Sequence, residues 1–173
     1  MADLSLWLVP EEESYDLLSC IIARLSQQHG TPSFEPHLTL LSGITLRHNE
    51  ATTRTTQLAA RLEKLEVVIR GLGYRDEFFR ALFLEAERTA ELMNAHQIAC
   101  TVFNHSPNEP FLPHVSLLYG HLPAATKERI IAQLISELKL PFSFRVRSVD
   151  LMVAASHIPL SHWRRIVSEA PGR

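Results

Sequence analysis

Apolar and polar positions fall into short blocks with two alternating periods. Leu4-Ser5-Leu6-Trp7-Leu8-Val9 alternates strongly enough to predict a strand, stopped by Pro10. Glu11, Glu12 and Glu13 suit a helix N-terminus. The helix runs from about Ser14 to Gln28, with Leu17, Leu18, Ile21, Ile22 and Leu25 on one stripe and Gly30 ending it. A strand follows to about Gly43, then a helix over about Asn49 to Lys64 with Leu58 and Leu62 inward. Leu65 to Leu72 and Phe78 to Glu85 read as strands, with Gly71 and Gly73 marking the turn between them. Arg88 to Phe103 is helical, and Asn104 to Pro110 is a loop dense in turn residues. A strand ending at Gly120 comes next, then a helix over Ala124 to Lys139. The strands Phe142 to Ala155 and Ser161 to Val167 close the chain around a loop, Ser156 to Leu160. The order βαβαββαβαββ predicts an α+β fold of two lobes, with two antiparallel-rich sheets, helices outside and a central cleft. No linker interrupts it, so residues 1–173 are read as a single domain.

Two of those strands open almost alike: Pro36-His37-Leu38-Thr39-Leu40 and Pro113-His114-Val115-Ser116-Leu117. They lie about half a chain length apart. A histidine two residues before a hydroxyl is common in a chain with 9 His, and a third case occurs at His29-Gly30-Thr31. That one sits in a helix-ending turn without the preceding proline or the flanking apolar residues. Residues i and i+2 of a strand share a face. His37 and Thr39 therefore look one way, and Leu38 and Leu40 the other; His114 and Ser116 oppose Val115 and Leu117 in the same manner. The apolar set faces a core and the polar set an opening. The cleft between the lobes would be floored by these two strands, as ligand sites at lobe interfaces often are.

Two imidazoles and two hydroxyls in one cleft are the equipment for opening a phosphate ester without a metal. One histidine takes a proton from water and the other gives one to the departing oxygen. The hydroxyls meet the charge that builds on the phosphoryl oxygens. In-line attack requires the two histidines to approach phosphorus from opposite sides. The expected roles are His114 as base, His37 as acid, and Thr39 and Ser116 as phosphate-binding donors. Tyr119 is read either as core filler or as a substrate contact, the latter requiring a bend near Gly120. Trp7 either lines the pocket and stacks a base or fills the core, and Trp163 is assigned to the core. Arg80, Arg145 and Arg147 are candidates for a second phosphate, with surface charge as the plainer reading. His48, His96, His105, His121, His157 and His162 show no metal-ligand spacing, so no metal is expected; His105 and His157 are candidates to border the cleft. There is no glycine-rich phosphate cradle, so neither ATP nor NAD dependence, nor any other cofactor, is expected.

Composition narrows the partners. The chain is 46% apolar and 21% charged with net charge −2, ordinary for a soluble globular protein. Duplex nucleic acid is not the expected partner. Cys20 and Cys100 are expected as free, buried thiols of an intracellular protein. No basic leader and no membrane span is evident, so a cytoplasmic monomer acting on a small molecule is expected.

Beyond the two motifs, the chain resembles the 2H phosphoesterase superfamily, and within it the cyclic phosphodiesterases. Ser5-Leu6-Trp7-Leu8-Val9-Pro10 followed by Glu11 to Ser14 resembles that branch's opening strand and acidic turn. Phe34-Glu35-Pro36-His37 resembles its approach to the first motif, and Pro113-His114-Val115-Ser116-Leu117-Leu118-Tyr119 its second, tyrosine included. Trp163 has a counterpart too. The resemblance spans essentially the whole chain. It implies a bilobal fold with a pseudo-twofold axis and a metal-free central site. It also implies hydrolysis of ADP-ribose 1″,2″-cyclic phosphate and nucleoside 2′,3′-cyclic phosphates. Other branches act on RNA ends, as 2′-5′ ligases or 3′-end phosphodiesterases. Either that activity or a non-catalytic nucleotide-binding module is the alternative reading.

Overall fold

A computed structural model describes residues 2–107 and 109–172. Met1, in the opening, and Asn108, in the expected loop, lie outside the described residues. In chain order the elements are β1 (Ala2–Pro10), α1 (Glu12–His29), β2 (Leu38–Leu46), α2 (His48–Arg61), β3 (Glu66–Gly73), β4 (Leu82–Ala86), α3 (Ala90–Phe103), β5 (His114–Leu118), α4 (Ala124–Glu137), β6 (Phe142–Val153) and β7 (Arg164–Glu169). Helix α1 stops where Gly30 takes a left-handed conformation, and α3 starts where Thr89 Oγ1 accepts from the Leu92 N–H.

The expected α+β class is present, but the strands form one antiparallel sheet of seven rather than two separate sheets. Its order is β1-β2-β5-β4-β3-β6-β7, and β1 also pairs with β6. The long strand β6 makes this possible. Its first residues pair with β3, and its later ones lie between β1 and β7. Strand pattern alone does not reveal that one strand serves both halves. The two motif strands, β2 and β5, meet at a single residue pair, Leu38 with Val115. Beyond that point the outer margin of β2 has no strand beside it among the described residues. There, two imidazoles donate to its carbonyls: His96 Nδ1 to Leu40 at 2.8 Å and His105 Nε2 to Ser42 at 3.0 Å.

Two further expectations change. Phe78 to Glu85 is not one strand: Phe78–Arg80 forms a 3-10 turn, and only then does β4 begin. The actual chain reversal is at residues 74–77, and Gly71 and Gly73 belong to β3. Gly73 is there for space, since a Cβ would lie 2.8 Å from Cε2 of Phe83. Likewise residues 160–162 form a 3-10 turn, and β7 starts at Arg164. Cys20 and Cys100 are free, but Cys20 is exposed and Cys100 only half-buried.

Alternation sorts the sheet's two faces. Leu4, Leu6 and Leu8 of β1, Leu38 and Leu40 of β2, and Val115 and Leu117 of β5 join Leu18 and Ile22 of α1 in the main core. Trp7 belongs to a small separate cluster with Met152 and Ala154, against which Trp163 packs. Each buried leucine stabilises the fold by about 2 kcal/mol. A one-residue slip of β2 or β5 would bury the histidines and hydroxyls among those leucines, so the core fixes which way the motifs point.

Candidate active site

A cleft of about 630 Å³ opens on the other face, and His37, Thr39, His114 and Ser116 all line it. The antiparallel pairing of Leu38 with Val115 explains their arrangement. Carried one residue further in each direction, that register sets His37 opposite Ser116 and Thr39 opposite His114. Each histidine thus faces the hydroxyl of the other motif.

Both rings are held in the same way. His37 Nδ1 donates to the Glu35 carbonyl at 2.7 Å, and His114 Nδ1 donates to the Leu112 carbonyl at 2.8 Å. In each case the accepting carbonyl is the one acylating the motif's proline, whose fixed φ aims it back at the ring. The role of the proline in the motif follows from this. With Nδ1 carrying the proton, the neutral ring keeps a lone pair on Nε2.

The surroundings of the two rings differ. His37 is 6% exposed and lies flat against Trp7, with centroids 3.5 Å apart and planes at 6°. Burial pushes its pKa down to about 4; the His114 charge adds to that, while the Glu35 carbonyl and Asp150 oppose it. His114 is less enclosed and meets the edge of Phe83 at 5.3 Å. Burial lowers its pKa as well, the Leu112 carbonyl opposes, and the Arg80 and Arg75 guanidinium groups push it further down.

The hydroxyls differ too. Ser116 is buried, and its Oγ donates to the Phe79 carbonyl at 3.0 Å. Thr39 is half-buried, and its hydroxyl has no protein partner among the described residues. Tyr119 does turn into the cleft. Strand β5 ends one residue before it, and Gly120 follows with φ +147. Its ring stacks on Phe34 at 3.7 Å and is 3% exposed. Burial raises its pKa, against the pull of the neighbouring Ser116 hydroxyl.

Other candidates separate cleanly. Trp7 lines the cleft, but one of its faces is occupied by His37. Trp163 lines the cleft instead of joining the main core, with Nε1 donating to the Ile158 carbonyl at 3.0 Å. His157 borders the cleft and pairs with Asp3 at 3.0 Å. His105 stands outside it, on the β2 margin. Arg80 reaches the cleft, whereas Arg145 lies opposite Glu66 and Arg147 over the Tyr15 ring.

Sequence reasoning missed four residues. Phe78 and Phe79 reach the cleft because the 3-10 turn swings them out of the sheet. His96 lines it too, stacked on Phe111 at 4.1 Å. Asp150, 1% exposed, accepts from Ser168 Oγ at 2.6 Å and from Arg165, whose other arm reaches Glu35 at 2.7 Å. A lone carboxylate inside the apolar run of β6 was the available signal for it.

Among the described residues, no helix is long and apolar enough to cross a membrane. The family model for cyclic phosphodiesterase-like proteins matches residues 1–143. A cyclic phosphodiesterase of Arabidopsis thaliana is 29% identical over 124 residues, 72% of this chain and 68% of that one. The fold is similar to that of TT0787 of Thermus thermophilus, at TM-score 0.65 and 17% identity over 97% of both chains. It is also similar to E. coli LigT complexed with 3′-AMP, at TM-score 0.65 and 16% identity over 99% of both chains.

Proposed function

The chain belongs to the cyclic phosphodiesterase-like family and is an enzyme of phosphodiester hydrolysis; on that premise we propose that its cleft opens nucleotide-derived cyclic phosphates by paired histidine acid–base catalysis. The substrates are nucleoside 2′,3′-cyclic phosphates and ADP-ribose 1″,2″-cyclic phosphate. The observation that carries the reading is the matched pair of imidazoles, each held through Nδ1 and each opposite the other motif's hydroxyl.

His114 is the base. Its arginine neighbours disfavour the imidazolium, which suits a ring that must be neutral before the reaction. His37 is the acid. Burial holds its pKa to about 4 in the free protein, and the Asp150 charge and the Trp7 face oppose that. The negative cyclic phosphate bound between the rings supplies the further charge that lets His37 carry the proton it gives. Water attacks phosphorus and gives its proton to His114 Nε2. The P–O bond of the ring breaks, and the departing ribose oxygen takes the proton from His37 Nε2. Proton exchange with solvent restores both rings. Thr39 donates to a phosphoryl oxygen, and Ser116 does so after turning from the Phe79 carbonyl. Tyr119 closes the side of the pocket. The whole chain acts as one catalytic domain, a soluble monomer in the cytoplasm, with halves built around β2 and β5 related by an approximate twofold axis.

The test is to treat the protein with EDTA, supply a panel of cyclic phosphates and identify the products by phosphorus NMR. Metal-independent formation of a 2′-phosphate or 1″-phosphate is expected. Failure to turn over any cyclic phosphate, with or without added metal, overturns the proposal.

A further inference from the structure

A second cavity, of about 250 Å³, opens behind His114. It shares Arg80, Leu112 and His114 with the main cleft, so the catalytic ring stands in the wall between the two spaces. Three arginines line it, Arg70, Arg75 and Arg80, against one acidic residue, Glu85. Glu77 binds Arg80 at 2.8 Å and lies 3.7 Å from Arg75, and Glu109 is 3.8 Å from Arg80, but both acids line the main cleft and not this cavity. Arg70 has no acidic partner within 4.0 Å among the described residues.

The cavity is held in shape by buried groups. Lys127, 2% exposed, donates to the Arg75 carbonyl at 2.7 Å, and the Arg75 N–H donates to the Arg80 carbonyl at 3.0 Å. These contacts fix the turn carrying two of the three arginines. Gly73 leaves room for the Phe83 ring, which in turn packs against His114. A side chain at 73 would displace that ring.

We infer that this cavity is a second anion subsite, taking the phosphoryl group on the 5-position of the ribose that carries the cyclic ester. The inference rests on the cyclic phosphodiesterase reading and deepens it. A phosphorus atom held between His37 and His114 leaves one arm of the substrate to pass His114, and the arginines meet whatever charge that arm bears. A 5-phosphoryl group is common to two sources: a dinucleotide pyrophosphate, and an RNA end whose last nucleotide is linked through its 5′-phosphate. Guanidinium groups bind phosphate with charge-assisted, paired hydrogen bonds.

The experiment compares kcat/KM for adenosine 2′,3′-cyclic phosphate with that for its 5′-phosphorylated counterpart. The natural protein should prefer the latter by about tenfold or more, and the preference should shrink as salt is raised. Arg70→Ala should remove most of the preference while leaving turnover of the unphosphorylated substrate within about twofold. No preference, or a preference untouched by Arg70→Ala, overturns the inference. Thermal melting checks that the variant is folded. Calorimetry with adenosine 2′-phosphate and adenosine 2′,5′-bisphosphate asks the same question without turnover. Tighter binding of the bisphosphate that depends on Arg70 upholds the subsite even if hydrolysis fails, and equal binding of the two ligands sinks it even if hydrolysis succeeds. ADP-ribose 1″,2″-cyclic phosphate and a dinucleotide ending in a 2′,3′-cyclic phosphate then separate the two sources. Arg70-dependent preference for either one sustains the inference, and its absence for both defeats it.

Discussion

His37 and His114 sit in near-identical five-residue segments, and the backbone treats them identically. Each ring gives Nδ1–H to the carbonyl that acylates the preceding proline. Everything beyond the backbone differs. His37 is sealed against an indole face, close enough to Asp150 to feel its charge. His114 stands between two cavities with arginines beside it. The repeated segment supplies the same ring hydrogen bond twice, and the proposed division into base and acid rests on the non-repeated surroundings. Duplication alone would make a symmetric site, and a directional reaction needs the asymmetry that neighbours introduce.

The comparison breaks most visibly if either ring is dispensable. His37→Ala and His114→Ala should each cost at least about a hundredfold in turnover of a cyclic phosphate. A substrate whose leaving group needs no proton, such as a nitrophenyl phosphodiester, should recover much of the loss in His37→Ala and little in His114→Ala. The reverse pattern would exchange the two roles.

Burial of His37 has a thermodynamic consequence of similar size. Its folded-state pKa of about 4 lies below the ordinary 6.5, so the unfolded chain binds the extra proton more readily. The associated stability is complete above about pH 6.5 and is lost as pH falls towards 4. By linkage this amounts to about 3 kcal/mol. Denaturant melts of the natural protein and of His37→Gln across that window should differ in slope, with the variant flatter. His114→Gln should flatten the curve less, because its ring is less enclosed. Equal slopes in all three proteins would mean that the first ring is not desolvated as described.

The hydroxyls sharpen the contrast on a smaller scale. Thr39→Ala should lower kcat by about tenfold, and Ser116→Ala by less, because the Ser116 proton is already committed to the Phe79 carbonyl. Single-turnover kinetics on a cyclic nucleotide would reveal an inverted order. Smallest of all is Tyr119→Phe. The ring's stacking on Phe34 survives, so kcat should change by less than about threefold. A larger loss would give the phenol hydroxyl a direct part in the reaction.

The parts of this site that were legible in the sequence are those governed by local rules. Alternation across Leu38-Thr39-Leu40 and Val115-Ser116-Leu117 fixed which side chains face the core, and their leucines and valine are in it. The need for a bend at Gly120 followed from the same counting, and Gly120 has the positive φ that a bend uses. What escaped was set by distant contacts. The pattern of Phe78 to Glu85 fits a strand, yet its first three residues turn because the Phe79 carbonyl receives Ser116 and the rings face the cleft. Asp150 is buried only because Arg165 and Ser168, from the next strand, meet it there. The merging of two expected sheets into one depends on β6 being long enough to pair with three strands, a property of length in space rather than of any motif.

The margin of β2 carries one last implication. A row of bare strand carbonyls is a template on which another chain can grow a β-sheet. Here His96 and His105 occupy that row in place of a strand. An imidazole retains an N–H whether neutral or protonated. The two rings therefore hold that border against strand addition by another chain, a protection that does not depend on the charge state they carry.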